Sequence, residues 1–84
     1  MPMPIARLRN IGPATAERLA VIGIRDRADL EAVGAAESYR RLQRAFPSET
    51  SLNALYAMHG ALLNLDWRDL PPGLKEELRR EAGG

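Results

Sequence analysis

The chain has 84 residues, no cysteine, one histidine and a net charge of +1. That length suits one small domain with one core and is too short for two. Without cysteine there is no disulfide framework and no thiolate chemistry, and a lone histidine offers no metal-ligand spacing, so no cofactor or metal is expected. The start, Met1-Pro2-Met3-Pro4, lacks the basic-then-apolar run of a secretory signal. The chain's apolar runs, such as Leu19 to Ile22, are far too short to span a bilayer. A cytoplasmic, membrane-free protein is the expectation. Charge is uneven: residues 1–24 carry +2, residues 25–46 carry +1 and residues 47–84 carry −2, so the N-terminal part is the positive end. Eleven of the twelve basic residues are Arg, which suits bidentate phosphate contact and is equally the mark of a GC-rich genome.

Pro4 to Arg9 predicts one or two helical turns, with Ile5 and Leu8 on one face. A tight Asn10-Ile11-Gly12 turn follows, and Pro13 stands where a helix begins, because the first helical position needs neither a free φ nor an N–H. Gly12 is expected either to take a positive φ or to let the two helix ends touch. Ala16, Leu19 and Ala20 run at helical spacing until Gly23, where a left-handed glycine lets Ile24 fold back onto the last turn. Asp26 is the expected N-cap of a helix over Arg27 to Val33, with Asp29 in the position of a capping-box acid and Gly34 as its stop.

From Ala35 to Phe46, Tyr39, Leu42 and Phe46 form an apolar stripe, while Arg40, Arg41 and Arg44 lie outside with Glu37 one turn behind to pair with them. Pro47 closes that helix. Ser51 is expected to cap a central helix whose apolar positions are Leu52, Leu55, Tyr56, Leu62 and Leu63, with Gly60 allowing a neighbour to come close. Trp67 should seal the core, with Asp66 and Asp69 capping the turn around it. Pro71-Pro72-Gly73 precedes a last helix, Leu74 to about Glu81, and the final Gly-Gly is expected to fray. No segment alternates in the manner of a strand, so the fold class is all-α: a small bundle of five or six short helices containing a helix-hairpin-helix-like unit. The largest stripe residues, Leu19, Leu30, Leu42, Leu55, Tyr56, Leu62 and Trp67, are the expected core.

No nucleophile with a base and no paired acids in an apolar setting stand out, so no catalytic residue is assigned. His59 falls on the central stripe, where a boundary histidine is the expectation. The Asn10–Thr15 turn carries a physical mechanism: outward amides at Gly12, Ala14 and Thr15, flanked by Arg9 and Arg18, can accept a phosphate without reading sequence. The same turn could equally serve only to reverse the chain. Three blocks, LRNIGPATAERLAVIGI, IRDRADLEAVGAAESYRRLQRAFP and SLNALYAMHGALLNLDWRDLP, resemble in order and spacing the C-terminal domain of TfoX/Sxy competence regulators. That resemblance covers Leu8 to about Leu78. It implies a role in bacterial regulation of DNA-uptake genes beside a larger transcription activator; family members also carry a separate N-terminal α/β domain. His59 departs from the family, which often has an acid there.

Two functions follow as expectations. One is a DNA-associated regulatory module touching duplex phosphates through Arg9, Asn10, Gly12, Ala14, Thr15 and Arg18. The other is a protein-interaction domain using Arg40, Arg41 and Arg44 or the apolar residues around Trp67. A sequence-reading helix-turn-helix is not expected, because no helix concentrates the Arg, Asn and Gln side chains that base edges require.

Overall fold

The N–H of Ile5 donates to the Arg25 carbonyl (3.0 Å) and that of Arg27 to the Met3 carbonyl (2.9 Å), an isolated antiparallel bridge that holds the start of the chain extended. Helical turns can therefore begin only at Ile5. They end at Leu8, whose backbone is again extended, leaving a 3-10 turn of three residues, Ile5–Arg7. The computed structural model describes residues 3–83. Beyond this turn it has five helices: α1 (Pro13–Val21), α2 (Arg27–Val33), α3 (Ala35–Ala45), α4 (Leu52–Leu63) and α5 (Pro72–Gly83), with a second 3-10 turn at Trp67–Asp69. Among the described residues there is no strand, and the molecule is an all-α bundle. A two-helix hairpin is not established, because only α1 is a helix and its companion is a single turn. Met1, Pro2 and Gly84, on which part of the signal and terminus readings fell, lie outside the described residues.

Local chemistry explains most helix ends. Gly23 takes φ +90°, its N–H bonds the Ala20 carbonyl and the N–H of Ile24 bonds that of Leu19, which closes α1 in a Schellman motif and buries Ile24 completely. The Asp26 carboxylate accepts the N–H of Asp29 (2.8 Å), capping α2 as expected. The Asp29 carboxylate bonds the N–H of Arg25, one residue outside the cap. Gly34 alone joins α2 to α3, at φ +85° and ψ 156°, a region open to glycine and almost nothing else. Asn64 closes α4 in the left-handed region, its N–H and that of Leu65 returning to the Ala61 and Gly60 carbonyls. Ser51 occupies the N-cap of α4 without making a side-chain cap bond. Thr50 beside it turns the other way, its hydroxyl donating to the Phe46 and Leu42 carbonyls and closing α3. The last helix runs from Pro72 to Gly83, longer at both ends than expected.

Helix α4 lies against α2, α3, α5 and the Trp67 turn, which makes it central. Leu19, Leu30, Leu42, Leu55 and Tyr56 are buried as expected, whereas Leu62 and Trp67 are only partly buried and pack on the core's margin. Met58 and Ile24, which were not among the expected core residues, are both fully buried. Leu52 and Leu63, assigned to the same stripe, are exposed. On the outer side, Lys75 of α5 stands 5.4 Å from the ring centres of both Tyr56 and Trp67, and the Arg79 guanidinium donates to the Tyr56 hydroxyl (2.7 Å).

Candidate nucleic-acid interface

The turn before α1 is built around Asn10 rather than Gly12. Asn10 takes the left-handed conformation (φ 72°), which asparagine adopts more readily than most residues. Gly12 is extended (φ −88°, ψ 173°), and a Cβ there would meet nothing within 4 Å. Neither reason expected for a glycine at position 12 therefore holds. The Asn10 side chain faces inward: its amide nitrogen donates to the carbonyls of Leu65 (2.8 Å) and Ala57 (3.3 Å), and its oxygen accepts the N–H of Trp67 (3.3 Å). Gly60 makes this possible. A Cβ at Gly60 would lie 2.7 Å from the Asn10 amide and 2.8 Å from the Leu65 carbonyl.

This fastening sets the start of α1 beside the start of α4 and the Trp67 turn. Between them opens a groove of about 410 Å³. One wall carries Asn10, Thr15 and Arg18, a second Thr50, Ser51 and Asn53, and a third Asp66, Trp67 and Arg68, with Glu49 at one end. Gly12, at the N-cap of α1, provides no side-chain cap for the helix. Gly12 and Ala14 are exposed; Thr15 and Arg18 are half-buried. Ala14 faces a second, shallower groove of about 360 Å³ with Glu17, Arg18, Val21 and Phe46. Arg9 is exposed, its guanidinium 3.5 Å from the Asn64 carbonyl.

The arginines around the groove differ in how free they are. Arg68 grips the Asp66 carboxylate through Nη2 (2.8 Å) and Nε (3.1 Å), and the same carboxylate accepts the Arg68 backbone N–H (2.9 Å). These bonds from Arg68, assisted by the charge of Arg9, hold the Asp66 carboxyl far below its usual range, and Asp66 raises Arg68 in return. As expected, Asp66 caps the turn; Asp69 makes no cap bond among the described residues. Arg18 has neither a hydrogen bond nor an ion pair among the described residues.

The second expected surface is differently occupied. Glu37 accepts from Arg40 (2.9 Å) and Arg41 (3.1 Å) and lies 3.6 Å from Arg44. Arg40 also donates to the Glu81 carbonyl, bracing α3 against the end of α5. Arg40 first, then Arg41, lowers the Glu37 carboxyl below its ordinary value. His59 is half-buried in a groove with Glu37, Arg40 and Glu81. Among the described residues no three His, Asp or Glu side chains gather as a metal site, and no helix is long and apolar enough to cross a membrane.

Sequence reading did not connect Asn53, Trp67 and Arg68 to the turn at Asn10, since more than forty residues separate them and no periodicity crosses that gap. The DWRD corner did carry one readable signal, an Asp two residues before an Arg that can close on it.

A five-helix module with a polar groove beside a helix start that no side chain caps is, as a class, a small all-α domain. The chain belongs to the family of the TfoX C-terminal domain, whose model matches residues 1–82, a domain family of regulatory type. Two crystal structures share the fold closely. One is an uncharacterized protein from Listeria monocytogenes in a triclinic form, with a TM-score of 0.84 and 30% identity over 90% of this chain and 85% of that one. The other is a Listeria monocytogenes protein of unknown function in a tetragonal form, with a TM-score of 0.84 and 29% identity over 93% of this chain and 95% of that one. No curated protein sequence matches the chain.

Proposed function

We propose that this domain is a non-enzymatic regulatory module that contacts the phosphate backbone of DNA at the start of α1 and leaves sequence choice to a transcription-activator partner. The observation that carries the reading is the setting of the α1 start: no side chain caps it, and Arg7 and Arg9 before it and Arg18 within it supply positive charge. Helix-terminal amides with flanking arginines bind phosphate oxygens and carry no base information. Membership of the TfoX C-terminal family supports a regulatory setting. Such a site neutralises few phosphates, so binding is weak, with dissociation constants of roughly 10⁻⁴ to 10⁻⁶ M and a log-log salt slope of about −3.

A gel-shift titration at two salt concentrations with unrelated duplexes tests this. The expected result is equal, salt-sensitive binding to every duplex, weakened to the same degree for all by Arg9→Glu. A protein-interaction reading draws support from Val21, which is 72% exposed beside Phe46 on the outer face of α1. Absence of DNA binding at low salt, with capture of a partner that Val21→Lys abolishes, would establish that reading instead.

A further inference from the structure

We propose that the groove between α1, the start of α4 and the Trp67 turn seats one unpaired nucleotide, so that the domain prefers single-stranded to duplex DNA. This rests on the phosphate-contact reading above and names the kind of strand it takes. Three observations carry it.

The first is size. At about 410 Å³ the groove lies at the lower end of the roughly 300–1,000 Å³ of small-molecule sites, with Trp67 among its lining residues. The second is unused hydrogen-bonding capacity. Among the described residues, Thr15, Arg18, Ser51 and Asn53 line the groove without any side-chain hydrogen bond, so four donors or acceptors there are open to a ligand. The third is charge. Arg68 pairs with Asp66, and the remaining charged lining residues are one acid, Glu49, and one base, Arg18, so the lining carries no net formal charge. A neutral interior with amide and hydroxyl groups suits an uncharged base edge, while the phosphate stays at the mouth with Arg18 and the α1 amides. Bases stacked within a duplex cannot enter such a groove; a splayed base of a single strand can, as in other aromatic-lined strand sites.

Fluorescence polarisation of the full chain with a labelled oligothymidylate, and with a blunt duplex carrying the same number of phosphates, tests the proposal. The single strand is expected to bind about tenfold more tightly, the scale of one base contact. Asn53→Ala, at an exposed position in the first turn of α4, should bring the single strand down to duplex affinity while leaving duplex binding and circular dichroism unchanged. Arg9→Glu should weaken both ligands alike. Addition of the oligothymidylate, and not of the duplex, should shift the Asn53 side-chain amide in NMR spectra. Equal affinity for the two ligands with no effect of Asn53→Ala overturns the nucleotide site and leaves the backbone-contact reading standing. Binding of neither ligand at low salt overturns both.

Discussion

Asn10 shows how much one side chain can organise. In the left-handed conformation it turns the chain, and its amide then fastens that turn to two carbonyls and an N–H on the far side of the fold. The fastening requires Gly60, so these two residues act as one feature. Replacing Gly60 by Ala would favour the isolated helix by about 1 kcal/mol. The added Cβ would meet the Asn10 amide at 2.7 Å and a backbone carbonyl at 2.8 Å, and overpacking of this kind typically costs about 1–3 kcal/mol, with Asn10 losing hydrogen bonds worth about 1 kcal/mol each. Gly60→Ala is therefore expected to lower the thermal midpoint, whereas Gly12→Ala, in extended backbone with open space around it, should stay within about 0.5 kcal/mol of the parent. Thermal unfolding of both variants checks the pair, and an unchanged midpoint for Gly60→Ala would contradict the Asn10 fastening. The closeness of a neighbour to Gly60 was legible from the residue type; its identity was not, because Asn10 is fifty residues away along the chain.

At the scale of elements, helix boundaries were mostly legible because capping is short-range chemistry. Gly23, Asp26 and Gly34 each act within four residues of where they stand, and each does as its sequence context implies. The first turn behaves otherwise for a tertiary reason, the bridge to Arg25 and Arg27 that holds back the start of the chain; the Ser51 hydroxyl forms no cap, and nothing in the structure explains why. On α3, Glu37 binds three arginines, and its folded carboxyl titrates below the ordinary 4.5. A lowered folded pKa means that this cluster contributes stability above about pH 4.5 and loses it as pH falls through the folded value. The side chains are partly exposed, so salt weakens the effect. The stability difference between the parent and Glu37→Gln, followed by denaturant unfolding, should be largest near neutrality and shrink toward pH 3. A difference that is constant across this range would show that Glu37 acts through packing alone.

For the whole molecule, α4 is the piece against which three other helices and the Trp67 turn close. Leu55 is fully buried within it, so Leu55→Ala should remove about 2–5 kcal/mol. That is a large share of the roughly 4–13 kcal/mol expected for a domain of this size. Denaturant unfolding measures it, and a loss under 1 kcal/mol would displace α4 from the centre. Sequence alone determined the all-α class, the order of five helices, most of their ends and the buried positions Leu19, Leu30, Leu42, Leu55 and Tyr56, because helical periodicity and capping depend on neighbours a few residues apart. Tertiary structure decided what those periods could not reach. It made Met58 core and left Leu63 outside, because a helix enclosed on several sides has no single apolar stripe to read. It set Arg40 against the Glu81 carbonyl at the end of α5 and left Arg18 without a partner among the described residues. It also brought Thr15, Asn53 and Trp67 around one groove, an arrangement that depends on contacts between positions 47 to 57 residues apart, which no local pattern records.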